Sequence, residues 1–454
     1  MSERGEALAD ALRAVLSAEE VGEVTRLSAG SSRETWSFRA DDRPLILQRG
    51  RGAPSAAATS MTTEAALVRA AGRAGAPVPT IVAAGEGDDE LGRPWVIAER
   101  LDGETIPRKL LRDEQFADVR PRLAAQCGDA LARIHAIDPA TAPELPDVDQ
   151  LAFWEDVYRQ IGDAHAVFEL ALRWLHQHRP SPTTHTVVHG DFRNGNLLIG
   201  PDRLRGVLDW ELAHIGDPHE DLAWLCVRAW RFASRAPVGG FGERDDLVGA
   251  YESVAGRAVD RAALTWWEVF GTLRWGIICQ IQVQSHLLGM PSLEQAAIGR
   301  RVAETEYDLL LVLPGGEQQV GTITPVPDPA PARGLHDRPT AAELVDALRH
   351  YVTTEVADAT TGRTHHLTRV AANVLTTIER ELALGPEQAV AHQRRLARFD
   401  VHDEAQLAAD IAAGALDGRL DELTDQLFDA VLAKLSVANP TYVEDRHRSP
   451  HGPT

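Results

Sequence analysis

The chain has 454 residues, 44% of them hydrophobic and 25% charged, and a formal net charge of −21. That length exceeds one ordinary domain, and the composition excludes wholesale disorder, a collagen-like fibre and a small disulfide scaffold. So acidic a surface repels phosphate backbones and anionic membranes, which argues against nucleic acid or a membrane as partner but leaves room for an anionic ligand in a locally basic cleft.

Residues 3–20 read as an amphipathic helix with no apolar core of a signal peptide. Short strands follow at Val21–Leu27, Glu34–Ala40 and Pro44–Gln48, divided by the turns Ala29-Gly30-Ser31-Ser32 and Asp41-Asp42-Arg43-Pro44. The first turn reads either as a plain hairpin or as a cradle whose backbone N–H groups meet anionic oxygens. A helix over 60–74 ends at Gly75-Ala76-Pro77-Val78-Pro79, and strands follow at Thr80–Ala84 and Pro94–Glu99. Segments 114–137, 151–178, 244–255, 262–288 and 293–313 carry apolar residues at helical spacing, interrupted by a β-rich island, Thr186–Asp209. The apolar stretch Gly271–Met290 holds Arg274, three glutamines and His286, too polar to span a bilayer. Residues 314–339 hold six prolines and read as a linker. Beyond it, 340–355, 362–384, 387–398, 403–414 and 416–435 are helical, and a polar tail from Ser436 is expected to be loose. The cysteines Cys127, Cys226 and Cys279 lack zinc or redox spacing, and are expected to be buried free thiols in a reducing cytoplasm.

Within the island, Val187-Val188-His189-Gly190-Asp191-Phe192-Arg193-Asn194-Gly195-Asn196-Leu197-Leu198-Ile199 precedes Gly206-Val207-Leu208-Asp209-Trp210-Glu211 and Gly216-Asp217-Pro218. Short buried strands would carry the polar residues at their ends, gathering the Asp191 carboxylate, the Asn196 amide and the Asp209 carboxylate. Hard oxygen ligands of this kind suit Mg²⁺, which commonly binds one or two carboxylates plus substrate phosphates.

This pattern resembles the aminoglycoside phosphotransferase family, a branch of the protein-kinase-like fold, over roughly residues 20 to 312. Leu27-Ser28-Ala29-Gly30-Ser31-Ser32 is similar to its nucleotide loop, Glu64 to its helix glutamate, and Ala98-Glu99-Arg100-Leu101-Asp102-Gly103 to its interlobe hinge. The resemblance implies an α+β bilobal fold: an antiparallel N-lobe over 1–104, a helical C-lobe over 105–313, the linker 314–339, an all-α accessory domain over 340–435 and a tail over 436–454. It implies ATP or GTP as co-substrate, Asp191 as acceptor of a hydroxyl proton, Asn196 and Asp209 as Mg²⁺ ligands, and Arg193 beside the transferring phosphate. Ala29, Gly30, Ser31, Ser32, Glu64, Glu99 and Leu101 would border the nucleotide, His189 would orient, and Asp217 and Asp221 would brace the loop.

Protein kinases place a lysine on the third strand to bind phosphate and pair the helix glutamate. Here the only lysines are Lys109 and Lys434, and the strand offers Gln48 and Arg49. Neighbouring strand residues face opposite sides, so either Gln48 faces the cleft and the charge comes from elsewhere, or a shifted strand presents Arg49. The favoured expectation is Arg49 paired with Glu64, since a guanidinium suits phosphate oxygens. The loop and the Gly-x-Pro-Val-Pro turn resemble the branch associated with acyl-CoA dehydrogenases, which points to a hydroxyacyl-CoA acceptor. The alternatives are an antibiotic kinase and a nucleotide-binding pseudokinase scaffold. The C-terminal helices resemble a domain found after such kinases, with docking or self-association as the expected role.

Overall fold

In the computed structural model, which describes residues 3–28, 33–50, 59–141, 144–181, 185–290, 292–316, 323, 325–326 and 338–444, two compact units form, one from Met1–Val148 with Pro180–Glu268, the other from Asp149–Arg179 with Val269–Thr454. Helix α1 (Glu3–Leu16) leads into strands β1 (Val21–Ser28), β2 (Arg33–Ala40) and β3 (Arg43–Gly50), helix α2 (Met61–Arg73) and strands β4 (Ile81–Gly85) and β5 (Trp95–Glu99). Helices α3 (Pro107–Arg112), α4 (Leu123–Ile134), α5 (Gln150–Ile161) and α6 (Ala166–Gln177) come next. Strands β6 (Thr186–Val188), β7 (Leu197–Ile199), β8 (Leu204–Val207) and β9 (His214–Gly216) precede helices α7 (His219–Trp224), α8 (Arg244–Ala255), α9 (Arg261–Leu287), α10 (Leu293–Gly299) and α11 (Val302–Val312). The C-terminal helices are α12 (Ala341–Tyr351), α13 (Gly362–Arg398), α14 (Glu404–Ala412), α15 (Leu420–Ala438) and α16 (Thr441–Glu444).

In the first unit the turn Asp41-Asp42, both residues left-handed (φ 46° and 66°), makes a two-residue hairpin and fixes its register. Ala40 stands opposite Arg43 and Thr35 opposite Gln48, in a sheet of order β1-β2-β3-β5-β4. Strand alternation then sorts the side chains. Phe38, Leu45, Leu47 and Ile97 pack with Leu8 and Leu12 of α1 in one core, while Thr35, Ile46, Gln48, Val96 and Ala98 of the opposite face border a cavity of about 380 Å³.

Below the sheet, α4 and α8 pack closely because Gly128 faces the backbone of α8. A Cβ there would lie 2.2 Å from the Leu247 carbonyl oxygen. Gly128→Ala is therefore expected to destabilise the first unit by about 2 kcal/mol or more, read as a lower urea midpoint at unchanged m.

The segment 105–313, expected as one lobe, contributes to both units, since α5 and α6 cluster with the later helices. Three helical segments are broken: two short 3₁₀ turns, the second containing Pro121, precede α4, Gly162 caps α5 at φ 74°, and α10 stops before Arg301. Two segments expected to be separate instead merge in α13, which carries Pro386 internally. Proline removes one intrahelical hydrogen bond, and the buried Leu384 and Leu396 hold the helix on either side. The expected loose tail is corrected over 436–444: α15 runs to Ala438 with Ser436 and Val437 buried, and the Tyr442 hydroxyl donates to Asp308 at 2.6 Å. Residues 445–454 and most of 314–339 lie outside the described residues. All three cysteines are free and buried, and among the described residues no helix is long and apolar enough to cross a membrane.

The second unit is pinned by a buried charge cluster. Glu306, with no side-chain exposure, receives Lys434 Nζ at 2.9 Å and His165 Nδ1 at 2.9 Å, and His165 Nε2 lies 3.6 Å from Asp163. Burial alone would raise the Glu306 carboxyl, but the Lys434 charge and the His165 bond hold it down at about 2. Burial alone would lower His165, yet Asp163 and Glu306 push it up to about 9. A raised imidazole stabilises the fold fully below its ordinary value of 6.5 and loses that contribution as pH rises through 9. A depressed carboxylate does so above 4.5 and loses it as pH falls toward 2. The melting-temperature gap between wild type and His165→Gln is expected to be widest below about pH 6.5 and to shrink between 6.5 and 9, measured by scanning calorimetry.

Candidate active site

Strand β6 ends in the loop 189–196, and β7 leads out of it to pair with β8. Gly190 makes the bend at φ 77°, where a Cβ would lie 2.2 Å from the Leu212 carbonyl oxygen, so only glycine fits. The Asp191 carboxylate that follows is held by donors on every side. Trp224 Nε1 donates to Oδ1 at 2.8 Å, Asn196 Nδ2 to Oδ2 at 2.6 Å, and Arg193 Nε to both oxygens at 3.0 and 3.2 Å. The Arg193 guanidinium also lies 4.6 Å over the Trp230 ring.

Asn196 spends its amide hydrogens on Asp191, the second on the Asp191 carbonyl at 3.0 Å, so among the described residues its Oδ1 is left as an acceptor for another ligand. The backbone couples this residue to the next strand, as Leu208 N–H donates to the Asn196 carbonyl at 2.9 Å. Asp209 comes immediately after and is held at φ 67°, a strained value for a non-glycine residue of the kind that collects at functional sites. It borders the cavity.

His189 ties these parts together. It is fully buried, which lowers its pKa and keeps it neutral. Its Nδ1 accepts from the Asp191 N–H at 3.2 Å and its Nε2 donates to the Leu208 carbonyl at 3.1 Å. With both ring nitrogens committed to the backbone, it orients the two loops and cannot serve as a base. Asp221, also fully buried, accepts from the N–H groups of His189 (2.7 Å) and Gly190 (2.9 Å) and from His135 Nε2 (3.1 Å). Asp217 accepts from the N–H and ring of His219. Asp221 thus braces the loop, whereas the bonds of Asp217 brace His219 at the start of α7.

At the sheet end of the cavity, Glu64 of α2 is paired, but not by Arg49. Arg33 of β2 holds it through both guanidinium arms, Nη1 to Oε2 at 2.8 Å and Nη2 to Oε1, and Nη2 also lies 3.1 Å from Glu211 Oε2. The expectation for Arg49 is thus corrected: β3 runs without a bulge, Gln48 faces the cavity, and Arg49 points to the opposite face, where it donates to Glu34 at 3.1 Å. Burial, together with the Asp209 and Glu211 charges, pushes Glu64 up to about 7 against the pull of Arg33, and burial plus Asp209 raise Glu211. Three carboxylates therefore crowd one arginine. Among the described residues no three His, Cys, Asp or Glu side chains form a cage of their own. A divalent cation relieving that crowding would draw on Asp209, the free Asn196 oxygen and ligand phosphates, so the donor set fits Mg²⁺.

Glu99, Leu101 and Gly103, of the segment expected to be the hinge, border the cavity, with the Glu99 side chain turned to Arg43 at 3.3 Å. Ala29, Gly30, Ser31 and Ser32 lie outside the described residues. Sequence reasoning misses Arg33, Trp224 and His135. Trp224 had a signal: it stands three residues after Asp221, one helical turn on, in α7.

The profile of the phosphotransferase enzyme family (APH) matches residues 23–257, and that of a domain of unknown function (DUF6285) matches 358–442. The chain belongs to the phosphotransferase enzyme family. It is 30% identical over 261 residues to acyl-CoA dehydrogenase family member 10 of Mus musculus, covering 53% of this chain and 24% of that protein. Viomycin phosphotransferase of Streptomyces vinaceus is 30% identical over 160 residues, 32% of this chain and 54% of that protein. The matches thus span about a quarter to a half of these relatives' lengths. The crystal structure of spectinomycin phosphotransferase APH(9)-Ia in complex with ADP and spectinomycin superposes with a TM-score of 0.53 at 11% identity, covering 70% of this chain and all of that one, which establishes the shared kinase-like fold.

Proposed function

We propose that the protein transfers the γ-phosphoryl group of ATP or GTP, in a Mg²⁺-dependent reaction, to a hydroxyl of a hydroxyacyl-CoA-type small molecule. The observation that carries the reaction type is the Asp191 carboxylate, locked by three side-chain donors in a loop whose Asn196 is bonded through the backbone to Leu208, next to a strained Asp209 that borders the cavity. The cavity takes the nucleotide base against Val96, Ala98 and Leu101. Asp191 accepts the acceptor's hydroxyl proton while the oxygen attacks phosphorus and the bond to the β-phosphate oxygen breaks. Asn196 and Asp209 would hold Mg²⁺, which neutralises phosphate charge when bound. Arg193, fixed on Asp191 and Trp230, keeps a cation beside the transferring phosphate. Few groups suffice because the catalysis is mostly positioning and charge stabilisation.

The acyl-CoA dehydrogenase relatives support the acceptor class, and the viomycin phosphotransferase relative supports an antibiotic as the competing acceptor. The C-terminal helices are read as a docking or self-association module, supported by apolar residues left exposed on α12, among them Leu344, Leu348 and Tyr351. The deciding experiment incubates purified protein, Mg²⁺ and ATP or GTP with 3- and 4-hydroxyacyl-CoAs, aminoglycosides, viomycin, sugars and amino alcohols. Mass gain of one phosphate on a hydroxyacyl-CoA is the expected result. Gain on an antibiotic instead overturns the acceptor class, and failure to bind either nucleotide overturns the reaction.

A further inference from the structure

We propose that Arg33 is the phosphate-binding cation of the N-terminal sheet, distinct from the loop cation Arg193 and moved from the third strand to the second. The inference rests on the nucleotide-dependent reading above and names the residue that makes it work. The third strand offers Gln48, a neutral side chain, at the cavity. Thr35 lies directly across the hairpin from Gln48. Arg33 is two residues along β2 from Thr35, so strand alternation puts it on the same face, at the diagonal position a long side chain can bridge. From there it reaches the α2 glutamate that a third-strand lysine would otherwise hold, and does so with both arms.

The electrostatics require a cation at that point. Glu64, Glu211 and Asp209 surround it, and without Arg33 this end of the cavity would repel phosphate. The alternatives sit elsewhere. Arg49 is committed to Glu34 on the far face. Lys109 pairs with Glu104 at 2.8 Å. Arg100 borders the cavity, but it donates to Ser37, four residues from Arg33 and about 13 Å away along an extended strand. Arg33 spends one Nη1 hydrogen and the Nη2 group on the two glutamates, and among the described residues its Nε–H and second Nη1 hydrogen carry no partner. Those donors are the ones available to phosphate oxygens, and the guanidinium fork matches them in shape.

The competing role is structural: neutralising the buried Glu64 and nothing more. Binding experiments separate the two. The probes are AMP-PNP and GMP-PNP with Mg²⁺, against adenosine and guanosine, which lack phosphates. The proteins are wild type, R33A, R33A/E64Q and R33A/Q48K, each full length and checked by circular dichroism. R33A is expected to weaken binding of the tighter triphosphate analogue by roughly tenfold or more, with the nucleoside's affinity unchanged. R33A/E64Q leaves no stranded carboxylate, so it remains measurable even where R33A is unstable, and it is expected to stay weak. R33A/Q48K returns a cation to the third strand and is expected to recover part of the loss. Wild-type affinity in R33A, or its full recovery in R33A/E64Q, overturns the assignment and leaves Arg33 as a structural partner of Glu64. A wild-type protein that binds neither analogue overturns the nucleotide reading, and Arg33's role with it.

Discussion

Asp191→Asn is expected to lower turnover by about three orders of magnitude while Mg²⁺–nucleotide affinity stays within a few fold of wild type. The substitution keeps the shape of the side chain and removes its capacity to take a proton. Trp224 and Arg193 can still donate to the remaining carbonyl oxygen, because both already aim at Oδ1, whereas Asn196 Nδ2 loses its acceptor at Oδ2 and keeps its bond to the backbone carbonyl of residue 191. Gln48, Glu64 and Leu101 border the cavity proposed for the nucleotide and Asp191 does not, so the substitution removes none of the groups that line it. A drop confined to kcat in a coupled ADP-release assay, with unchanged AMP-PNP binding, is the signature of a lost proton acceptor. Equal turnover in the variant would remove Asp191 from the chemistry and reduce the loop to a scaffold.

The residues of that loop are legible in the sequence because their chemistry is local. Asp191 and Asn196 stand five apart between two short apolar runs, and Asp209 ends the next run, so a strand–loop–strand reading brings them together without knowledge of the rest of the fold. Local register is also legible, as the N-terminal sheet shows: the Asp41-Asp42 turn fixes every partner in the β2–β3 hairpin. Arg33 escapes for a specific reason. A strand taken to start at Glu34 leaves Arg33 in the preceding turn, whereas one more residue of β2 puts it opposite Gly50 and in phase with Thr35. The sequence also pairs Glu64 with the nearest cation on the strand that usually supplies one, and only the alternation of β3 rules Arg49 out. Helix partners are less legible still. Periodicity shows that Phe168, Leu172 and Leu175 of α6 face a core, but it carries no information about which helices form it. Hence the placement of 149–179 with the C-terminal helices emerges only in three dimensions.

Asp221→Ala is expected to cost the first unit about 3–5 kcal/mol and to abolish turnover at temperatures where the protein remains folded. The carboxylate is fully buried, and its removal strands the His189 and Gly190 N–H groups and the His135 ring in the interior. The loss does not stop at His135, because that ring is in turn 3.1 Å from the Tyr251 hydroxyl. Nor does it stop at stability. Those two N–H groups belong to the residues immediately before Asp191, so the loop that aims the proton acceptor loses its anchor. Asp221→Asn keeps one acceptor oxygen and is expected to lose about half as much. The pH dependence gives an independent check. Burial alone would raise the Asp221 carboxyl, but the His135 bond and charge and the backbone N–H groups hold it below its ordinary 3.8. A depressed carboxylate stabilises above that value and loses its contribution as pH falls through it. The urea-unfolding gap between wild type and Asp221→Asn should therefore narrow as pH falls below about 4. Asp191→Asn, by contrast, should leave the unfolding midpoint near wild type while turnover falls, so the pair separates the proposed proton acceptor from the residue proposed to aim it.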